Sequence, residues 1–496
     1  MAGRARVYSV YDFLRTMMRK KTFQIENPLL FKIGRLADDA GLAAYVVGGY
    51  VRDLIIGNVE DSSLVKTKDI DVMVIGDPIL FAREIERKLN AKSLVVFEKF
   101  RTAQMVIDEI KVEIVGARRE SYDAGSRKPH VEEATLEEDL SRRDFTINAM
   151  AINISGSRGQ TSDSVLIDPF HGKDALDKKI IDTPLEPQVT FSEDPLRILR
   201  AIRFACRFNF ALSPRVKEAV VKMKDRLVIV SQERITDEFL KILSCPRPSL
   251  GLKLMQDTSV MKDVFKEMSE TSGVEQRQDH HHKDVFLHTM SVVDNLASVS
   301  DNVWLRFAGL VHDVAKPGTK KFVEGVGWTF HGHDEIGARK MKKIFQRMKL
   351  PMDRLPYVEK LVRLHLRPMA LAVEGVTDSA VRRLLFDAGD DFEDLMKLCR
   401  ADITSKNKEL IKQYSQNYDS VEQRAKVVEE KDKIRNWKPP VNGDEIMELF
   451  RLNPGKEVGI LKKAVETAVL DGEIPNDHDA AVDFLKSNHG KILAEK

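Results

Sequence analysis

The chain is 496 residues long, enough for several domains with cores of their own. Its 79 Lys and Arg are balanced by 77 Asp and Glu, so no global field draws in nucleic acid and any grip on RNA must come from local patches. Three distant cysteines, Cys206, Cys245 and Cys399, exclude a disulfide framework and a zinc ribbon, and no run of 18 apolar residues offers a membrane span.

The N-terminal stretch carries Arg4 and Arg6 and no acid before Asp12; a weak transit peptide, an irregular start and a short surface helix all stay open. With neither a span nor a clear leader, the expected compartment is the cytoplasm. Residues 31–40 read as a helix stopped by Gly41. The apolar run 43–47 reads as a buried strand ending in Gly48-Gly49, a turn where backbone can approach a phosphate. In the strand expected over 67–75, Asp69 and Asp71 point the same way. Two carboxylates on one face repel unless a cation lies between them, and for oxygen ligands beside a phosphate that cation is magnesium. Taken singly, the glycines read as an ordinary turn and the aspartates as a solvated strand face.

A proline-capped helix from Asp77-Pro78 with Phe81, Ile85 and Leu89 on one face follows. Short strands are expected at 94–97, 102–107 and 111–115, the last two joined through Asp108-Glu109. Glu113 alternates with Val112 and Ile114, so it either faces the aspartate pair as a third carboxylate or is a solvated strand residue. Residues 120–139 are polar and read as a mobile loop. Then comes Arg142-Arg143-Asp144-Phe145-Thr146-Ile147-Asn148-Ala149-Met150, whose Arg, Asp and Asn can grip triphosphate and ribose hydroxyls. Residues 191–210 read as one helix, in which Asp194 and Arg197 emerge from one side of the first turn.

From Asp279 the composition shifts: eight of the twelve histidines lie between His280 and His365. His288, His312-Asp313, His333, His365 and Asp402 follow one another at intervals that suit a helical site for one or two divalent metals. The triplet His280 to His282 receives no role. Residues 406–435 are densely charged and read as a long solvated helix or arm. Trp437-Lys438-Pro439-Pro440 breaks it, and Ile446, Leu449 and Phe450 begin a last helical piece, with a modest basic patch at Lys456, Lys462 and Lys463.

These motifs carry a resemblance. VVGGYVRDLIIG followed by Asp69-Ile70-Asp71 resembles the signature of the DNA polymerase β-like nucleotidyltransferases, in the branch of class II CCA-adding tRNA nucleotidyltransferases and bacterial poly(A) polymerases. RRDFTINAM and EDPLRILRAIRFACRF resemble further motifs of that family, and SQERITDEFLKIL the one after them. The histidine set resembles an HD phosphohydrolase domain, with His288, His312, Asp313 and Asp402 matching its first metal site and His333 and His365 completing a second. WKPPVNGDEIM resembles the tail of long bacterial CCA-adding enzymes, which grips tRNA; a plain helical cap is the other reading.

The resemblance implies an α+β chain: a small mixed-sheet nucleotidyltransferase head, then mostly α-helical neck, HD and tail domains. The expected divisions are an extension over 1–27, head 28–185, neck 186–275, HD domain 276–405, and charged arm and tail 406–496. It implies template-independent addition of CCA to tRNA from CTP and ATP, with pyrophosphate released. Asp69 and Asp71 would hold magnesium and Glu113 would serve as base. Gly48, Gly49, Arg52, Arg143, Asp144, Asn148 and Arg200 would bind the nucleotide, with Asp194 and Arg197 reading its base. Cytosine and adenine share an amino donor beside a ring-nitrogen acceptor, the pattern an aspartate and an arginine complement. A poly(A) polymerase, a CC-only or A-only enzyme, and a metal phosphohydrolase centred on the HD domain remain the alternatives.

Overall fold

The computed structural model describes residues 22–23, 25, 27–60, 69–122, 129–156, 164–275, 284–371, 377–405, 407–432, 435 and 437–494. The N-terminal stretch, Thr67 and Lys68, and His280 to His282 therefore lie outside the described residues. The chain divides into two units, Met1–Val230 and Ser231–Lys496.

The first unit is built on an eight-stranded mixed sheet. Its strands are β1 Thr22–Phe23, β2 Ala43–Val47, β3 Asp69–Ile75, β4 Lys92–Phe97, β5 Thr102–Ile107, β6 Ile110–Gly116, β9 Ala151–Asn153 and β10 Ser164–Ile167. They lie in the order β1-β10-β9-β2-β3-β6-β5-β4. Strands β3 and β6 are parallel neighbours, and β2 lies antiparallel to β3. Val46, Ile70, Val72, Val112 and Ile114 are fully or almost fully buried and share one face of the sheet, the face opposite Asp69 and Asp71. Helix α1 (Pro28–Asp39), capped by Asn27, buries Leu29, Leu30, Ile33 and Leu36; α3 (Pro78–Leu89), capped by Asp77, buries Phe81 and Ile85. Between them α2 (Gly49–Glu60) follows β2 after the single turn residue Gly48. Asp108 and Glu109 both take positive φ, 47° and 66°, which closes the β5–β6 hairpin with the right-handed twist of its strands. Apart from the main sheet, β11 (Ile180–Ile181) pairs in parallel with β12 (Ala211–Leu212).

Two expectations for this unit are corrected. The described part of the polar stretch 120–139 is not an open loop: β7 (Arg118–Tyr122) and β8 (Pro129–Glu133) pair antiparallel, and Thr135 with Glu138 caps α4 (Leu136–Ser141) reciprocally. Polar composition hid a ribbon whose stability lies in its ladder rather than in apolar alternation. Residues 191–210 are not one helix. After α5 (Gly172–Asp177), the stretch is split into α6 (Pro187–Glu193) and α7 (Arg197–Phe208). Pro195 disfavours helical backbone at Asp194, which lies between the two at φ −137°, ψ 102°.

Among the described residues the second unit is helical apart from one short hairpin. Helix α8 (Gln232–Leu243) opens it. Then α9 (Val285–Val299), α10 (Val303–Val311), α11 (His333–Met348), α12 (Leu355–Leu364), α13 (Asp378–Ala388) and α14 (Phe392–Asp402) surround a core that includes Phe307, Leu310, Phe345, Leu361 and Leu398. The hairpin is β13 (Lys321–Val323) against β14 (Gly327–Thr329). The charged arm is α15 (Lys408–Asp432), and it is not free in solvent: Tyr418, Val421, Ala425 and Val428, spaced three or four apart, are buried. The tail holds three helices where one was expected: α16 (Gly443–Phe450), α17 (Lys456–Asp471) and α18 (His478–Ala494), packed around Val441, Ile446, Leu461, Val465 and Leu485. Of its basic patch, Lys463 pairs with Glu466. Among the described residues no helix is long and apolar enough to cross a membrane.

Candidate active site

Register builds the first site. Strand β3 sets Asp69 opposite Lys111 and Asp71 opposite Glu113 on β6, and β2 ends with Val47 opposite Asp71. Opposite residues of neighbouring strands share a face, so Asp71 and Glu113 face the same way. Burial raises the Asp71 carboxyl above its ordinary range; Arg143 opposes this and Asp69 adds to it. Burial and then the Asp71 charge raise Glu113, against a hydrogen bond from Gln104 Nε2 at 3.2 Å. The donor oxygens of Asp69, Asp71 and Glu113 do not all lie within 4.8 Å of one another. A hard, oxygen-seeking divalent cation suits such a donor set, because it offsets both the burial and the repulsion.

Gly48 takes φ +72°, and a Cβ there would meet Arg143 Nη1 at 2.8 Å and Asp71 Oδ2 at 3.3 Å. Only glycine lets the chain turn this close to both side chains. Gly49 then opens α2, whose first N–H groups are available to an anion.

Behind the carboxylates runs a buried polar chain. Asp144 Oδ1 accepts from the Phe145 N–H and from Asn148 Nδ2, both at 2.9 Å, and its Oδ2 accepts from Arg200 Nε at 2.9 Å. Asn148 Oδ1 accepts from Arg52 Nη1 at 2.6 Å, and Arg52 Nε donates to Asp53 Oδ1 at 2.7 Å. The Arg52 guanidinium also stacks 4.9 Å from the Phe208 ring centre. Burial alone would raise Asp144, but Arg200 and the Asn148 amide bring it down to about 2. The structure thus joins Arg52, Asn148, Asp144 and Arg200 of the sequence-selected set.

Asp194 and Arg197 are arranged differently from the single helix face expected of them. Asp194 Oδ1 accepts from the Leu196 N–H at 3.1 Å. Arg197 donates to Glu193 Oε2 at 2.8 Å and to the Arg142 carbonyl at 2.9 Å, so α7 is tied to the Arg142-Arg143 segment.

Asp139 was missed by sequence reasoning. It is completely buried; its Oδ1 accepts from Arg142 Nε at 3.0 Å and its Oδ2 from Arg143 Nε and Nη2 at 3.3 Å. Burial would raise its carboxyl, but the two arginines lower it. The signal was an acid three and four residues before a pair of arginines, here at the end of a helix.

The second site lies in the second unit, where α9, α10, α11, α12 and α14 deliver four imidazoles and two carboxylates. His288 Nε2 lies 2.8 Å from Asp402 Oδ1, and His312 Nε2 lies 3.2 Å from Asp313 Oδ2 and 3.4 Å from Asp402 Oδ1. His333 Nε2 lies 3.2 Å from Asp313 Oδ1 and 3.3 Å from His365 Nε2. Two donor sets converge, His288–His312–Asp402 and Asp313–His333–His365, each within 4.8 Å, with the Asp313 carboxylate touching both. The Nδ1 atoms of His312, His333 and His365 face the carbonyls of Gly309, Phe330 and Val362 at 2.7–2.8 Å and must donate to them. That fixes the tautomer and leaves the Nε2 lone pairs pointing inward, the arrangement metal ligands require. His288 Nδ1 is held by Thr404 at 2.8 Å. Burial would lower the His312 imidazole, but Asp313 and Asp402 raise it to about 10; burial and His312 lower His365 to about 4. A divalent ion between the same groups takes the place of that proton. Lys316, unremarked in the sequence, lies 2.6 Å from Asp313 Oδ2.

Three families match the chain: "Poly A polymerase head domain" over residues 44–182, "Probable RNA and SrmB- binding site of polymerase A" over 209–271, and "HD domain" over 285–436. The chain is 27% identical to the A-adding tRNA nucleotidyltransferase of Deinococcus radiodurans, across 88% of this chain and 94% of that protein. It is 30% identical to the multifunctional CCA protein of Methylococcus capsulatus, across 73% of this chain and 81% of that protein. A crystal structure of a tRNA nucleotidyltransferase complexed with a primer tRNA and an incoming ATP analog superposes with a TM-score of 0.56 at 27% identity, covering 79% of this chain and 98% of that one. With a relative at 30% identity covered over most of its length, the chain belongs to the family of tRNA nucleotidyltransferases and bacterial poly(A) polymerases, and it carries an HD domain.

Proposed function

We propose that the chain is a CCA-adding enzyme, extending the 3′ end of tRNA from CTP and ATP. The observation that carries the reading is the register of β3 and β6, which sets Asp71 and Glu113 face to face beside Gly48 and Arg143. Multifunctional CCA proteins at up to 30% identity support it, while A-adding relatives, at 27% and, over 57% of this chain, 35% identity, support the A-only alternative.

Asp69 and Asp71 would hold magnesium, and Glu113 stands beside them. Bound there, the metal supplies a Lewis acid for the triphosphate and lowers the pKa of the attacking hydroxyl. The tRNA 3′-oxygen attacks the α-phosphorus of the nucleotide, the bond to the bridging β-phosphate oxygen breaks, and pyrophosphate leaves. Glu113, raised by burial and by Asp71, accepts the hydroxyl proton. Gly48 and Gly49 admit the phosphates to the start of α2, and Arg143, aimed by Asp139, neutralises them. Arg52, Asn148, Asp144 and Arg200 form the wall against which ribose and base are positioned. Asp194 and Arg197 read the base edge, held near that wall by the Arg197 bond to the Arg142 carbonyl. In domain terms we assign the head to 28–185, the neck to 186–275, the HD domain to 276–405 and the arm and tail to 406–496. Addition of nucleotides to tRNA transcripts ending before, within and after CCA tests this reading.

A second activity is favoured by the histidine–aspartate cluster: the HD domain holds one or two divalent metals through His288, His312, Asp313, Asp402, His333 and His365 and acts on phosphate esters. Metal content of the protein and of His312→Ala tests it.

A further inference from the structure

Hairpin β13–β14 carries a track of cations and rings that leads outward from the histidine–aspartate cluster. Lys316 Nζ touches Asp313 and stands 5.5 Å from the centre of the Phe330 ring. The Phe330 carbonyl in turn accepts from His333 Nδ1 at 2.7 Å, so this residue borders the cluster from both sides. Farther out, Lys320 Nζ lies 4.2 Å from the Trp328 ring centre. Trp328 stands opposite Phe322 in the strand register and meets it edge-on, with centroids 5.2 Å apart and planes at 75°. Phe322 is 52% exposed and Val326 at the tip 73%.

A two-stranded ribbon of three residues a side gains little stability from rings left in water. Alternating rings and ammonium groups suit a nucleic acid instead, because ring faces stack bases and cations meet the phosphates between them. Charge favours the same occupant, since Lys316, Lys320 and Lys321 on this stretch outnumber Glu324. We infer that the hairpin is a stacking platform for an unpaired nucleobase of the phosphate ester that the cluster takes, with Phe322 as the exposed ring and Lys320 and Lys316 along the phosphate path. The inference rests on the proposed phosphate-ester role of that cluster and adds the surface that meets the base.

The test uses the full chain carrying Trp304→Phe and Trp437→Phe, so that Trp328 alone emits. A short single-stranded RNA should quench this emission saturably, and an abasic strand of equal length should not. Phe322→Leu should weaken the RNA effect by about fivefold or more, and Phe322→Tyr should leave it near the parent. Equal quenching by the abasic strand would reduce the track to a charge effect and overturn the platform. Unchanged RNA binding by Phe322→Leu would do the same and point to an apolar protein-docking face. The cluster reading fails separately: a chain that takes up no metal yet shows base-dependent quenching would refute that reading and leave the platform standing.

Discussion

Asp71 and Glu113 stand opposite each other on parallel strands, and the backbone turn at Gly48 brings Arg143 to the same edge. Asp71→Ala should therefore cut nucleotide addition by at least about 10²–10³-fold, since charge stabilisation at the reacting phosphate is lost. Binding of tRNA should stay near the parent value, because the role proposed for the carboxylates is to hold a metal and not to touch the RNA. Single-turnover kinetics beside a filter-binding titration check this. A variant that adds nucleotides at a normal rate would sink the metal assignment.

Asp139 holds Arg142 and Arg143 from a completely buried position. Asp139→Asn keeps the shape and removes the charge that aims both guanidiniums. We expect a stability loss of about 3 kcal/mol or more from the broken buried pairs. The KM for both triphosphates should rise more than kcat falls. Denaturant titration and steady-state kinetics give the two numbers; a selective fall in kcat would place Asp139 in the chemistry itself.

Asp144 supplies a pH dependence. Its folded pKa of about 2 lies below the unfolded carboxylate value, so its contribution is present above pH 4 and is lost as pH falls toward 2. That contribution is about 2 kcal/mol. Between pH 4 and 2 the parent should lose about this much more stability than Asp144→Asn. Parallel acid titration curves for the two proteins would mean that Arg200 does not hold the carboxylate in solution.

The HD cluster should hold its metal independently of the head. His312→Ala combined with Asp313→Ala removes donors from both sets at once, and elemental analysis should show the metal gone. Any phosphate-ester hydrolysis should vanish with it while nucleotide addition persists, since the carboxylates of the head are in a different unit. Loss of nucleotide addition in a folded double variant would contradict two separate sites.

In the proposed function, base selection rests on Asp194 and Arg197 together. Changing both to alanine should narrow the preference for CTP and ATP over UTP and GTP. Each unpaired polar contact is worth ~1–3 kcal/mol, or roughly tenfold or more in kcat/KM. Kinetics with all four triphosphates decide it; undiminished discrimination would remove both residues from the template role.

Much of this was legible in the residues. The β3 alternation, the Gly48 turn, the Asp108-Glu109 hairpin and the helices bearing His288 and His312 follow from local periodicity and turn chemistry, which a single sequence displays. Features that depend on partners distant in sequence stayed hidden. The β7–β8 ribbon draws its stability from cross-strand pairing, which composition does not show. The break at Asp194 was signalled by Pro195 but masked by the strong apolar face of α7 on one side and the helical turn before it on the other. Tyr418, Val421, Ala425 and Val428 form a stripe too narrow to notice among the charges of α15. The Arg52–Asn148–Asp144–Arg200 chain joins residues far apart in sequence by tertiary contact alone, so its members were visible and their connection was not.

The most direct measurement supplies transcripts of tRNA ending before the CCA, after the first C and after CC, with CTP alone, ATP alone, and both. The account predicts that CTP alone adds two residues to the shortest transcript, that ATP adds one residue only to the transcript ending in CC, and that both together complete CCA and stop. Addition of A alone to CC ends with no use of CTP, arrest at CC when both are present, or a growing run of A would each contradict it.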